Sequence, residues 1–194
     1  MKLYHFPSAN PQKIRFALLD LGLECEIVPV DLVKGEQRKP EYLALNPCGR
    51  VPTLIDGDLT LWDSHAIFAY LGEKTCRLWP TSVAGRADAL RWLFFLSGHI
   101  SPSATAVGFN RIAARVLGIP GDQDAITRGE KVLPGVIEIL EERLVNNKWL
   151  LGNDFILVDC AYCPILNLIE KAGFSLGQFP RVESYLDACR SRPA

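Results

Sequence analysis

Two short stretches in the first third of this 194-residue chain carry residue types that can hold an anionic, peptide-like ligand. The first is Asn46-Pro47-Cys48-Gly49-Arg50-Val51-Pro52-Thr53-Leu54. A proline entering a strand can be cis, and it leaves its neighbour's backbone N–H and C=O free to pair with an extended peptide. The second is Leu61-Trp62-Asp63-Ser64-His65-Ala66-Ile67, where Asp63 and Ser64 precede Ala66, Ile67, Tyr70 and Leu71 at helical spacing. One of the pair therefore caps a helix, and a helix start can bind a carboxylate. An Asp-Ser pair before a helix is usually only a cap; its place in the longer pattern gives it a functional reading.

The elements that must position these residues follow from the apolar pattern. Lys2 to Phe6 reads as a strand and Pro7 to Pro11 as a loop. Ile14, Ala17, Leu18 and Leu21 form the stripe of an amphipathic helix closed by Gly22. Glu26 to Val30 is a second strand, Asp31 to Arg38 is polar, and Pro40 starts a short helix holding Tyr42, Leu43 and Leu45. Thr53 to Ile55 and Leu59 to Leu61 flank Asp56-Gly57-Asp58 as a hairpin. Strand, helix, strand, helix, hairpin, helix is the order of a thioredoxin-like domain, and its first βαβ unit is expected to be parallel and right-handed.

Beyond Leu71 the pattern is helical throughout. Residues 76–85, with Pro80 and Gly85, read as a linker between a domain over 1–75 and one over 86–194. Helices are expected from Ala87, over Ser101 to Ala114, over Ile126 to Leu144 with a kink or break at Pro134-Gly135, over Leu157 to Ala172 and over Val182 to Arg190. The helix from Leu157 is apolar nearly all round and should be buried. Gly108, Gly118, Pro120 and Gly121 point to loops or broken helices between Ser101 and Gly121. The fold class is thus α/β plus all-α: a thioredoxin-like domain (βαβαββα) followed by a C-terminal helical bundle.

The run Asn-Pro-x-Gly-x-Val-Pro-x-Leu, a hairpin, then acid-Ser-x-Ala-Ile-x-x-Tyr-Leu resembles the glutathione-binding half of a cytosolic glutathione S-transferase, of bacterial or phi/theta-like type. The resemblance implies that Val51 pairs its backbone with the cysteinyl part of glutathione, with Pro52 cis, and that Asp63 and Ser64 hold the γ-glutamyl amine and carboxylate. Gln37 stands where phi-like relatives carry a glutathione-binding His, and Arg38, Lys39 or Arg50 meets the glycyl carboxylate. A thiol is a weak nucleophile until ionised, so a donor beside the sulfur and a helix N-terminus behind it favour thiolate. Counting back from Lys13-Ile14 as a phi-like helix start lands that donor on Ser8; a theta-like spacing lands on Ala9, which has no donor side chain. Asn10 matches bacterial relatives, and Tyr4 on the first strand is a further alternative. Ser8, with Asn10 as helper or substitute, is the reading adopted.

The resemblance also implies an activated thiolate attacking a small hydrophobic electrophile held by the helical domain, and a two-fold homodimer. Two other classes stay open: a non-catalytic relative that binds a protein partner, and a glutathione-dependent isomerase, dehalogenase or thiol reductase. A second family motif falls on Gly152 to Asp159, where Asp159 matches but Ile156 replaces the capping hydroxyl, so Asn153, Asp154 or Asp159 must supply the cap.

Composition agrees. Hydrophobic residues make up 48% and charged residues 22%, with a net charge of −1 and no run of five like charges, so neither nucleic acid nor an anionic membrane is an expected partner. No secretory h-region and no membrane-length apolar run occurs, and six scattered cysteines fit a reducing cytoplasm. Three dispersed histidines give no metal site. Cys160-x-x-Cys163 sits in the apolar helix and is not read as a redox pair.

Overall fold

The computed structural model describes residues 1–192, and the chain divides into two compact units, Met1–Trp79 and Pro80–Arg192. Residues 193–194, counted with the helical domain above, lie outside the described residues.

In the first unit the order is β1 (Lys2–His5), α1 (Ala9–Asp20), β2 (Glu26–Pro29), a single tight turn of helix (Glu36–Arg38), α2 (Pro40–Leu43), β3 (Thr53–Asp56), β4 (Leu59–Trp62) and α3 (Ser64–Thr75). The sheet runs β2-β1-β3-β4, with β1 parallel to β2 and antiparallel to β3, and β3 antiparallel to β4. The predicted α1 stripe is the buried one: Ile14, Ala17 and Leu21 have no exposed surface and Leu18 has 3%. Gly22, at φ +63, closes it: its own N–H bonds Leu19 O at 2.9 Å and the Leu23 N–H bonds Leu18 O at 2.9 Å. Gly supplies that left-handed turn without a Cβ penalty.

The loop expected over Pro7 to Pro11 is shorter than the sequence implies. Helix α1 starts at Ala9, so Asn10 and Pro11 are helical. A proline in the first turn gives up only an N–H that has no intrahelical partner, and its fixed φ suits the helix.

The second unit holds α4 (Val83–Phe95), α5 (Ser101–Gly108), α6 (Ala114–Val116), α7 (Gln123–Arg143), α8 (Leu157–Lys171) and α9 (Pro180–Arg190). Wide π-type turns at Leu96–Ile100 and Phe109–Ala113 join α4 to α5 and α5 to α6 without leaving the helix. The linker reading therefore runs three residues too far. Val83 to Gly85 are helical, and the Ser82 side chain accepts from the Gly85 N–H at 3.0 Å. Helix α7 continues through Pro134. Helix α8 is buried nearly all round, as its composition predicts, and its Tyr162 hydroxyl donates to Trp92 O at 2.8 Å.

Asp159 does the work of the missing hydroxyl at the α8 start. Its carboxylate accepts from Ile156 N at 2.9 Å, Leu150 N at 3.0 Å and the Tyr185 hydroxyl at 2.9 Å. The Asp159 N–H donates to Ile156 O at 2.9 Å, so the backbone oxygen replaces the absent side-chain acceptor. Burial lifts the Asp159 carboxyl to about 6, against the pull of those donors.

Gly108 is a close approach rather than a loop. A Cβ there would stand 2.4 Å from Leu168 Cγ on α8, whereas at Gly98 it would meet nothing within 4 Å. Gly108→Ala should lower stability by about 1–3 kcal/mol through overpacking. Gly98→Ala should be neutral or stabilising, because alanine is the better helix former. Urea unfolding of the two variants tests the contrast, and equal effects would refute it.

Candidate functional site

The sheet register gathers the singled-out residues at one edge. Tyr4 lies opposite Val28 and Thr53, Thr53 lies opposite Trp62, and His5 pairs with Pro29. The chain leaves that edge four times: from β1 toward Ser8 and Asn10, from β2 toward Gln37 and Arg38, from Val51-Pro52 into β3, and from β4 into Asp63-Ser64. The ladder begins at Thr53, so Val51 is outside it, and the Val51-Pro52 bond is cis.

The loop carrying Arg50 and Val51 is pinned from below by residues whose role the sequence reading did not assign. Asn46, 2% exposed, donates from Nδ2 to Arg50 O at 2.7 Å and to Thr53 Oγ1 at 3.2 Å. The Tyr42 hydroxyl donates to the same carbonyl at 2.6 Å and lies 2.9 Å from Thr53 Oγ1. The Asn46 side-chain oxygen accepts from Cys48 N at 3.0 Å. Val30, Tyr42 and Val51 form a buried cluster that Tyr4, Phe6 and Leu32 pack against, and the Tyr4 and Tyr42 rings meet edge-on at 5.7 Å. Tyr4 is thereby a packing residue of this cluster.

Ser8 is the N-cap residue of α1, in extended backbone, yet its hydroxyl makes no capping bond and is not spent on the helix. Asn10 is exposed in the first turn. No acidic side chain occupies that turn, so the partial positive charge of the helix start is left for a ligand.

At the α3 start the cap is Asp63, and Ser64 is the first helical residue, 4% exposed. Asp63 Oδ1 accepts from His65 N at 2.8 Å and Ala66 N at 3.4 Å, and the backbone at Asp63 has φ +72. A positive φ is uncommon at a non-glycine residue, and such held conformations cluster at functional sites. His65 Nδ1 lies 3.3 Å from Asp63 Oδ1. The hydrogen bond from the His65 side chain, reinforced by the His65 and Ala66 backbone N–H groups, holds the Asp63 carboxyl down at about 2 against partial burial. Asp63 is therefore an anion at any physiological pH. No chemistry was assigned to His65 from the sequence; only the fold brings its ring to Asp63.

Gln37 and Arg38 come together with Gly49. Gln37 O and Arg38 Nη1 both lie 3.0 Å from where a Gly49 Cβ would stand, and Gly49 has φ +58. A side chain at Gly49 would be strained and obstructed, so the cationic Arg38 lies against the loop that carries the exposed Arg50. Gln37 Oε1 is buried with no hydrogen-bond partner. The 31–38 segment is braced by Glu36, whose carboxylate accepts from Asp31 N at 2.8 Å, and by Asp31, which accepts from Val33 N and Lys34 N at 3.0 Å each.

One buried cation completes the surroundings. Lys13, on α1, has no exposed surface, and its Nζ has no hydrogen-bond partner. Burial pulls its pKa down to about 7 while the Asp63 charge pulls it up. His5, at the end of β1, is 9% exposed with Nε2 unpartnered, and burial lowers its pKa. Periodicity set Lys13 at the head of the α1 stripe but gave no sign of a buried charge.

Elsewhere, all six cysteines are free thiols, and the Asn167 side-chain amide donates to Cys163 Sγ at 3.4 Å. Among the described residues no group of three or more His, Cys, Asp or Glu side chains could hold a metal ion, and no helix is long and apolar enough to cross a membrane.

Comparison with known proteins gives a consistent family. The family model described as "Glutathione S-transferase, N-terminal domain" matches residues 1–73, and "Glutathione S-transferase, C-terminal domain" matches residues 87–193. The chain is 32% identical to glutathione S-transferase F9 of Arabidopsis thaliana, covering 100% of this chain and 94% of that protein. It is 34% identical to glutathione S-transferase 3 of Zea mays over 100% and 90%. It is 32% identical to the disulfide-bond oxidoreductase YfcG of Escherichia coli over 99% and 91%. Among solved structures, a Burkholderia graminis glutathione transferase with two glutathione molecules bound per subunit superposes at a TM-score of 0.89 with 31% identity, over 99% of this chain and 84% of that one. Glutathione transferase F7 of Populus trichocarpa superposes at 0.90 with 30% identity, over 99% and 94%.

Proposed function

The chain belongs to the cytosolic glutathione S-transferase family and is a glutathione transferase, and from that premise we propose that the sheet edge described above seats glutathione and ionises its thiol. The observation that carries this reading is the convergence of two helix starts, the cis Val51-Pro52 entry and an Arg-bearing loop on one edge. In the seat, the cysteinyl backbone lies along Val51, which the β3 ladder leaves outside. The γ-glutamyl ammonium meets Asp63, and its carboxylate takes the Ser64 hydroxyl and the α3 helix start. The glycyl carboxylate meets Arg38 or Arg50 by a charge-assisted bond, beside Gln37.

The thiol then stands at the α1 start, where Ser8 and Asn10 donate to the sulfur and the helix dipole favours the anion. The second reactant is a small hydrophobic electrophile. Holding it beside a preformed thiolate makes the attack effectively unimolecular, which supplies rate along with the nucleophile itself. The reading includes a two-fold homodimer and a cytoplasmic location, in keeping with the family.

Ser64→Ala tests the seat. A hydrogen bond to a charged group is worth about 1.5–3 kcal/mol, so calorimetric titration should find glutathione bound roughly 10- to 100-fold more weakly. Unchanged affinity in Ser64→Ala would refute the place of Ser64 in the seat, and no glutathione binding by the wild-type chain would refute the seat itself. The likeness to the E. coli disulfide-bond oxidoreductase supports a second reading, in which the same thiolate attacks a disulfide. Parallel assays with an aryl halide and a disulfide substrate separate the two.

A further inference from the structure

The peptide unit between Arg50 and Val51 is held from one side only. Its carbonyl oxygen accepts from the Tyr42 hydroxyl at 2.6 Å and from Asn46 Nδ2 at 2.7 Å, which fills both of its lone-pair positions. The two donors are themselves fixed. Tyr42 and Asn46 are 6% and 2% exposed, the Asn46 N–H donates to Tyr42 O at 2.9 Å, and Asn46 Oδ1 accepts from Cys48 N at 3.0 Å. Thr53, with no exposed surface, closes the ring. Its hydroxyl accepts the second Asn46 amide proton at 3.2 Å and, because the Tyr42 proton is committed to Arg50 O, donates to the Tyr42 oxygen at 2.9 Å.

The other half of the same peptide is unheld. The Arg50-Val51 bond is trans, so its N–H points opposite to its C=O, away from the buried ring. Among the described residues no hydrogen bond uses the Val51 N–H. Turning this peptide would leave the Tyr42 and Asn46 donors unpaired in a buried place, so the direction of the N–H is set by side chains behind it.

We propose that Tyr42 and Asn46 are positioning residues of the seat: by taking both lone pairs of Arg50 O they aim the Val51 N–H at the cysteinyl carbonyl of glutathione, without touching the ligand themselves. This rests on the placement of the cysteinyl backbone along Val51 made above. A donor oriented in advance needs no ordering when the ligand arrives, so the fixed peptide turns its hydrogen bond into affinity and into discrimination against a ligand without the acceptor.

The test compares S-methylglutathione, which has no thiol to ionise, with an analogue carrying a trans C=C bond in place of the amide between its cysteinyl and glycyl residues. The analogue keeps both charged ends and the extended shape but lacks the carbonyl. Titrated calorimetrically, the wild-type chain should prefer S-methylglutathione by about tenfold or more. Tyr42→Phe removes one of the two donors to Arg50 O. Asn46→Asp keeps the acceptor for Cys48 N and replaces the other donor by an oxygen that repels the carbonyl. In each variant the preference should fall to about threefold or less, through weaker binding of S-methylglutathione, with the analogue bound within about twofold of its wild-type affinity. Either variant carries the prediction alone if the other does not fold. Failure of S-methylglutathione to bind the wild-type chain would sink the seat itself. Equal binding of the two ligands by the wild-type chain would remove the cysteinyl carbonyl from Val51, and the aiming role with it. A preference that survives in both variants, or a loss shared equally by both ligands as a merely loosened domain would give, leaves the seat standing and overturns the role of Tyr42 and Asn46.

Discussion

Replacing Ser8 and Asn10 together by alanine should raise the thiol pKa of bound glutathione by at least about two units, because each charge-assisted donor contributes at least about 1.5 kcal/mol and one unit is about 1.4 kcal/mol. At neutral pH that lowers kcat/KM by about 100-fold, since the thiolate fraction falls tenfold per unit. The variant should recover activity as pH rises, and ultraviolet absorbance of the bound thiolate should titrate in step with the rate. Ser8 should account for more of the shift than Asn10, because its hydroxyl sits at the cap position without making a capping bond. An unmoved titration curve in the double variant would transfer thiolate stabilisation to the backbone N–H groups of the α1 start and remove both side chains from the mechanism.

Asp159→Ala should lower the stability of the helical unit by about 3–5 kcal/mol, a large share of the 5–15 kcal/mol that holds a typical domain. The substitution strands three donors, Leu150 N, Ile156 N and the Tyr185 hydroxyl, in surroundings where Leu150 and Asp159 have no exposed surface. Denaturant unfolding followed by far-ultraviolet circular dichroism reads it, and a loss below about 1 kcal/mol would show that water or a local shift re-satisfies the donors. A pH series sharpens the test. The Asp159 carboxyl is raised to about 6 in the fold, against about 3.9 unfolded. Between those values the folded chain binds more protons than the unfolded chain, so this group's contribution falls as pH climbs through that window and is constant above it. Asp159→Asn should abolish that part of the slope.

Much of this was legible in the chain because local chemistry and long-range pairing agree. Gly57 sits at φ +60 in the two-residue turn between β3 and β4, where Asp56-Gly57-Asp58 marked a hairpin. The βαβαββα order and the buried α8 followed from periodicity alone. The α1 start was misread because Pro7 to Pro11 reads as a loop, although a first-turn proline is benign. Gly85 reads as part of a linker and Gly108 as a mark of loops or broken helices; both are contacts, with a Cβ at Gly85 meeting Pro80 at 2.7 Å. No sequence pattern distinguishes a glycine kept for its missing side chain from one kept for its backbone freedom. Lys13, His65, Asn46 and Tyr42 were beyond reach for a related cause. Their importance lies in side-chain geometry that spacing does not specify: His65 Nδ1 stands 3.3 Å from Asp63 Oδ1, and Asn46 and Tyr42 both bond Arg50 O.

The two wide turns, at Leu96–Ile100 and Phe109–Ala113, fall along one continuous run of helix in the helical unit. In a regular helix each added residue swings everything after it through about 100°. A π-type turn takes up such an extra residue locally. Leu93, Leu96, Ile100, Ala104 and Val107 are nonetheless all buried at spacings of three or four residues, so the first wide turn leaves the inward face in register. A heptad ruler laid from Leu93 falls on Ile100, Val107 and Ala114, all of them buried, so the inward seam keeps one repeat past both wide turns.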